Sequence, residues 1–135
     1  LDRRLVSILQ KDASRPYREL AKELGISVTT VCNRIRRLIQ IGVIKRITAE
    51  VDYTKLGYCA EAFLGIQVQP QKIRAVLEEL KSKREYVVSV QIVTGHYDII
   101  AHIVARDTAD LRDFLMREVY KIDGILRTET MLVVG

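Results

Sequence analysis

The chain has 135 residues, a formal net charge of +5 and 48% apolar residues, which is enough for one or two small domains with their own cores. No run of 18 or more apolar residues occurs, so the sequence predicts no membrane-spanning helix. Residues 1–60 hold 12 Lys and Arg against 6 Asp and Glu, whereas residues 61–135 hold 10 against 11. A basic first half beside a nearly neutral second half favours a nucleic-acid-binding module joined to a domain with another role.

Neither the start of the chain nor its cysteines point to secretion or metal chemistry. The sequence begins at Leu1 and has no secretory signal, so we expect a cytoplasmic protein that lacks a few residues at its N-terminus. Cys32 and Cys59 lie in different segments, at a spacing that matches no metal motif. No glycine-rich nucleotide loop or nucleophile elbow occurs. We therefore expect reduced thiols, no metal and no cofactor.

Apolar residues at helical spacing predict three helices within residues 1–40. The first covers residues 1–11. Pro16 suits the first turn of the second helix, and Gly25 can end that helix in the left-handed conformation. Ser27 is a good N-cap for the third helix. Two helices joined by so short a turn predict a helix-turn-helix motif over residues 17–36, within a DNA-binding domain of residues 1–52.

The third predicted helix has an apolar stripe and an opposite polar face without acids. Val31, Ile35 and Leu38 form the stripe. Thr30, Asn33, Arg34 and Arg37 follow at i, i+3, i+4 and i+7, whereas Arg36 lies farther round the helix. Asn33 and Arg34 could contact base edges; phosphate contact or plain solvation is the alternative. The candidate DNA-binding residues are Arg15, Tyr17, Ser27, Thr29, Thr30, Asn33, Arg34, Arg36, Arg37, Lys45 and Arg46.

Beyond Gly42 the period of the apolar residues changes. Branched residues predict an extended β linker over residues 43–52, where Lys45 and Arg46 either contact DNA phosphates or are simply solvated. Residues 60–135 then read as strand, helix, strand, strand, helix, strand. The predicted strands are residues 60–68, 86–94, 97–105 and 125–134, and the helices begin at Pro70 and near Asp107. This order predicts an α+β chain with a C-terminal ferredoxin-like βαββαβ domain.

One face of the predicted sheet is too apolar to stay in water. In the third strand Ile99, Ala101, Ile103 and Ala105 are expected to face the helices, but Ile100 and Val104 lie opposite them. The second strand carries Val88, Val90 and Ile92 on one face, and Val87, Gln91 and Val93 on the other. A sheet open to water alternates more cleanly. We therefore expect at least a homodimer, which also suits recognition of a palindromic DNA site.

The whole chain resembles the Lrp/AsnC, or feast/famine, family of bacterial and archaeal transcription regulators. The resemblance is carried by the stretches LDRRLVSILQKDASRPYRELAKELGIS, RIRRLIQIGVIKRITAEVD, LGY, TGHYDII and RTETMLVV. It implies a DNA-binding domain, a ferredoxin-like sensing domain and dimers that assemble further, commonly to octamers. It also implies small effectors, usually amino acids, bound where sensing domains of neighbouring dimers meet.

By position, the resemblance implies an effector-contacting loop of Thr94, Gly95, His96, Tyr97 and Asp98, with Thr128, Thr130 and Met131 close to the pocket. Asp98 is the best single candidate, because a carboxylate can pair with an α-ammonium group. Family loops often have an acid where His96 stands here.

Two other functions fit the same outline. Siroheme decarboxylases resemble it and use histidine and arginine on a tetrapyrrole carboxylate, for which His96 or His102 is the candidate here. The acid-free third helix argues against an enzyme, because an enzyme needs no DNA-reading face. A low-specificity DNA-compacting protein is the other alternative. The prediction is a sequence-specific DNA-binding regulator that responds to a small effector.

Overall fold

Three helices pack into the first of two structural units, Leu1–Glu50, in the computed structural model, which describes residues 1–135. They are α1 (Asp2–Lys11), α2 (Tyr17–Leu24) and α3 (Val28–Gln40). Gly25 ends α2 with a left-handed φ of 69°, and the Ser27 side chain caps α3 by accepting from the Thr30 N–H at 3.1 Å. The buried core residues of this unit are Leu5, Leu9, Leu20, Ala21, Leu24, Val31, Ile35 and Leu38. The predicted apolar stripe of α3 is confirmed.

The linker predicted as a β-strand is not a strand. Residues 45–52 have no regular secondary structure, and the last backbone hydrogen bond before them joins the Ile44 N–H to the Leu38 carbonyl. A strand exists only when a neighbouring strand takes its N–H and C=O groups, and this single chain offers none here. The prediction of β structure over residues 43–52 is therefore wrong for the isolated chain.

The second unit, Val51–Gly135, has the predicted βαββαβ order. Its elements are β1 (Ala60–Val68), α4 (Ile73–Ser82), β2 (Val87–Ile92), β3 (Ile99–Ala105), α5 (Thr108–Phe114) and β4 (Ile125–Leu132). A 3-10 turn, Pro70–Lys72, precedes α4, and a π turn, Leu115–Val119, extends α5. The strands form one antiparallel sheet in the order β2-β3-β1-β4. The ferredoxin-like fold class is confirmed.

The helix side of this sheet holds the core. Every second residue of β1 is buried there. The same side buries four residues of β3, as predicted: Ile99, Ala101, Ile103 and Ala105. In β2 the prediction was partly wrong, because a register shift between Val87 and Ser89 places Val87 opposite Ile103 on the helix side. Val88 is left exposed at the irregularity.

No helix of either unit combines the length and the apolar character that crossing a bilayer demands.

Candidate nucleic-acid interface and effector site

The outward side of α3 is polar and carries no carboxylate. Successive helical residues are turned by about 100°, so Asn33 lies opposite the buried stripe. Arg36 and Arg37 flank it, and all three side chains are exposed. Thr29, in the first turn, and Gln40, in the last, are exposed on the same side. We call this outward surface, which is centred on Thr29, Asn33, Arg36, Arg37 and Gln40, the reading face. Gln40 was missed by the sequence reasoning.

The structure corrects the prediction: Thr30 and Arg34, predicted on the reading face, lie at its flank, and Arg36, predicted farther round the helix, lies on it. Thr30 and Arg34 are half-buried, and the Thr30 hydroxyl is 2.8 Å from the Ser27 hydroxyl. The Arg34 guanidinium donates to the carboxylate of Asp2, the first residue of α1, over 3.1 Å. Arg36 has the Cys32 sulfur at 3.7 Å, and Arg37 has no ion-pair partner. Among the arginines of α3, only Arg34 is held by an acid.

The remaining DNA-binding candidates lie outside α3. Arg15 is half-buried and pairs with Glu19 and Glu23 of α2, and the Glu23 carboxylate raises the pKa of Arg15. Tyr17 is exposed at the start of α2, and Lys45 and Arg46 are exposed on the extended segment. Of these cations, only Lys45 and Arg46 are free of carboxylate partners.

An apolar groove in the first unit was not foreseen. It has a volume of about 360 Å³ and lies between α1 and the extended segment. Val6, Leu9 and Ala13 form one wall, and residues 43–48 form the other. The spacing of Val43 and Ile47, both exposed by more than half, is the sequence signal that could have indicated it.

The predicted effector loop, residues 94–98, closes the β2–β3 hairpin and is tied to the end of β1. Asp98 accepts from the Val68 N–H through its carboxylate at 2.8 Å, and its own N–H donates to the Ile66 carbonyl at 2.9 Å. The Gln67 side-chain amide donates to the His96 carbonyl at 2.9 Å. One carboxylate oxygen of Asp98, the best effector candidate, therefore holds the end of β1 through the Val68 N–H. The sequence reasoning missed this structural role.

Tyr97 lies on the sheet face away from the helices. Its ring covers Gly65 of β1, and its hydroxyl donates to the Glu129 carboxylate on β4. This hydrogen bond raises the pKa of Tyr97 above its ordinary value. Glu129 was not among the predicted site residues, although it stands between Thr128 and Thr130 in the sequence.

The three β4 candidates do not share one face of the sheet. Thr128 and Thr130 pair with Ile66 and Leu64, so they lie on the helix side, where Thr130 is exposed. Met131 pairs with Phe63 and lies on the other side, with Tyr97 and Glu129. A pocket that uses all eight predicted residues would have to reach around the edge formed by β4.

An aromatic cluster that includes one histidine–carboxylate hydrogen bond occupies the uncovered sheet face. His102 stacks on Phe63, with the ring centroids 4.7 Å apart, and its Nε2 is 2.6 Å from the Glu61 carboxylate. Tyr53 meets the same imidazole edge-on. His96 lies instead in the exposed loop. No group of three or more His, Cys, Asp or Glu side chains is arranged to hold a metal ion.

Comparison with known proteins gives the same two-part division. Residues 1–39 match the model of the AsnC-type helix-turn-helix domain, and residues 61–135 match that of the Lrp/AsnC ligand binding domain. An uncharacterised HTH-type transcriptional regulator of Pyrococcus furiosus is 40% identical over 130 residues, which is 96% of this chain and 86% of that protein.

Solved structures share the fold over nearly the whole chain. E. coli AsnC has a TM-score of 0.80 at 31% identity, covering 99% of this chain and 90% of AsnC. A transcriptional regulator from Neisseria meningitidis, solved as a complex with L-Met, has a TM-score of 0.83 at 17% identity, with coverage of 99% and 88%.

Proposed function

Because the chain belongs to the Lrp/AsnC family of transcriptional regulators, we propose that it binds a palindromic DNA operator as a homodimer under the control of an amino-acid effector. The observation that carries this proposal is the acid-free outward face of α3, with Asn33 at its centre and Arg36 and Arg37 beside it. A face of amide and guanidinium donors suits the acceptor-rich major groove.

Roles are proposed for four polar residues of α3 from their chemistry: Thr29, Asn33, Arg34 and Arg37. Asn33 can pair with the two edge groups of adenine, and Arg34 or Arg37 with those of guanine. Thr29, in the first turn, is placed for a phosphate or a base edge. Lys45 and Arg46, which have no carboxylate partner, are proposed to contact phosphates.

The effector proposal rests on the loop of residues 94–98. One oxygen of Asp98 bonds to the Val68 N–H, and the other can still accept from an α-ammonium group. The exposed Thr130 hydroxyl and the half-buried Thr128 hydroxyl add polar groups at the β4 edge. The amino-acid class is supported by the L-Met complex of the Neisseria meningitidis regulator.

Two surfaces support assembly. On the uncovered sheet face, Phe63 and Met131 are about 40% exposed as neighbours across β1 and β4. On the extended segment, Val43, Ile47 and Val51 recur at every fourth residue and are exposed. Antiparallel pairing of this segment with its copy would set the basic Lys45 and Arg46 beside the acidic Glu50 and Asp52. We propose that these surfaces form the dimer and that dimers associate further, to an octamer.

The test begins by selecting an operator from a random-sequence duplex pool with the wild-type protein. Asn33→Ala and Arg37→Ala are then measured on that operator at fixed salt, with the exposed Arg112→Ala of the second unit as the matched control. Loss of a base-reading pair of about 1–3 kcal/mol predicts affinities lower by roughly 5- to 150-fold for the two α3 variants alone. If both α3 variants bind the selected operator as tightly as the wild-type protein does, the proposal is refuted.

A further inference from the structure

Asp2 of α1 forms an ion pair with α3, the helix that carries the reading face. Its carboxylate, at the start of α1, accepts from Arg34 of α3 over 3.1 Å, although 32 positions separate the two residues. Both side chains are a little over 40% exposed, so the ion pair stays in contact with solvent. It lies at the flank of α3 that leads from the buried stripe to Thr30 and Arg37.

This pair sets Arg34 apart from the other cations of the reading face. Arg36 has only the Cys32 sulfur within hydrogen-bond distance, and Arg37 has no carboxylate within 4.0 Å. α3 itself contains no acid, so Asp2 is the carboxylate that bonds to the reading helix. An acid in the first turn also suits the helix dipole of α1, but that role does not require contact with α3.

Pairing with Asp2 reduces the attraction of Arg34 to DNA phosphates. Non-specific affinity comes mainly from cations that neutralise phosphates and release counterions. A guanidinium already neutralised by a carboxylate adds little to that attraction, and the carboxylate itself repels phosphate. A half-exposed pair is weak, however, so a ligand with better geometry can replace it. A guanine edge offers two acceptors to one guanidinium, whereas Asp2 here accepts a single N–H.

We propose that Asp2 is a specificity-determining residue, which withholds Arg34 from phosphates and releases it only to a base edge. This inference rests on the proposed function. Arg34 then contributes to operator binding but not to binding of arbitrary DNA. Arg37, on the same helix and without a carboxylate, contributes to both.

The experiment measures dissociation constants over a range of salt concentrations on two probes, a 30-base-pair random-sequence duplex and the selected operator. The variants are Asp2→Asn, Arg34→Ala, the double variant and Arg37→Ala. Glu79→Gln, an exposed acid of α4 in the second unit, controls for net charge. The double variant has the wild-type net charge.

On random DNA, Asp2→Asn is expected to tighten binding and to steepen the logarithmic salt slope by about one, the value for one added phosphate contact. The ratio of the affinity of Asp2→Asn for the operator to its affinity for random DNA is expected to fall. Arg34→Ala leaves the random-DNA slope unchanged and weakens operator binding, whereas Arg37→Ala lowers that slope. The double variant returns to the wild-type slope.

Three results would overturn the inference while leaving the proposed function intact. They are a wild-type slope for Asp2→Asn, an equal change in Glu79→Gln, and an Arg34→Ala slope as low as that of Arg37→Ala. A wild-type protein that binds neither duplex would instead remove the proposed function itself, and this inference with it.

Discussion

The ring of Tyr97 covers Gly65 so closely that three of its carbons lie 2.7–2.8 Å from the position of a β-carbon on residue 65. Real β-carbons do not approach ring atoms so closely, so any side chain at residue 65 must displace the tyrosine. This contact, together with the hydrogen bond from Tyr97 to Glu129, fixes one side of the loop that we propose contacts the effector.

Gly65→Ala is therefore expected to destabilise the second unit by about 1–3 kcal/mol, the usual cost of overpacking. Urea unfolding measures this free energy. In a Tyr97→Ala background the same substitution should cost clearly less, since the obstructing ring is absent. Equal costs in the two backgrounds would show that the contact with Tyr97 is not the cause.

Asp98→Asn separates the structural role of this side chain from its proposed role in effector binding. The amide oxygen can still accept from the Val68 N–H, so the melting temperature without ligand should stay close to the wild-type value. The negative charge that would pair with an α-ammonium group is lost. The stabilisation by the effector amino acid, about 2.7 kcal/mol at 100 times its dissociation constant, should therefore largely disappear.

A thermal-shift screen of the amino acids, each alone, identifies the ligand for this comparison. An undiminished shift in Asp98→Asn would contradict the assignment of that carboxylate to the effector.

The elements themselves could be predicted because periodicity is local. The stripe of Val31, Ile35 and Leu38 and the alternation along β3 each follow from a few neighbouring residues, and both are confirmed. The linker could not be predicted in the same way. Its content of branched residues is that of a strand, but strand formation depends on a partner outside the segment.

The candidate sites were predictable only as sets of residues. The resemblance and the helix pattern indicated loop 94–98 and α3, but the contacts that position them join residues far apart in sequence. Asp2 with Arg34 and Tyr97 with Glu129 are each 32 positions apart. Such pairs follow from the packing of helices and the register of strands, which a single sequence does not give.

Ser27 serves as the N-cap of α3 and is also a DNA-binding candidate. Ser27→Ala removes the bond to the Thr30 N–H and should cost about 0.5–2 kcal/mol of stability. Ser27→Asp retains a capping oxygen and should keep most of that stability, but its charge repels phosphate. If Ser27 lies at the DNA, Ser27→Asp binds random DNA more weakly than Ser27→Ala. A stable Ser27→Asp protein with unchanged affinity would place Ser27 away from the phosphates.

Asp110 gives the second unit an acid-sensitive contact. Hydrogen bonds from the Arg106 side chain and N–H, together with the Tyr86 hydroxyl, lower the pKa of Asp110 from 3.8 to about 2. Since the folded-state pKa is below the unfolded one, this stability is present above about pH 4 and is lost as the pH falls towards 2. A shift of this size corresponds to about 2 kcal/mol, and solvent screening at the exposed Arg106 reduces it to about 1 kcal/mol.

Chemical unfolding between pH 2 and pH 6 measures the loss of stability that is expected when Asp110 is protonated. Asp110→Asn should lose that part of the pH dependence, whereas Asp113→Asn, an exposed acid on the same helix, should retain it. Parallel pH profiles for wild type and Asp110→Asn would exclude the mechanism.

A loss-of-contact measurement decides whether the outward face of α3 from each of two copies reads DNA. Wild type and Asn33→Ala are titrated against a series of selected operators, each with one base pair changed. We predict two symmetric positions, one helical turn or a multiple of it apart, where wild type discriminates by about 1–3 kcal/mol and Asn33→Ala does not. If Asn33→Ala keeps full discrimination at every position, Asn33 does not read the bases. If the sensitive positions lack two-fold symmetry, the two copies do not bind a palindromic site.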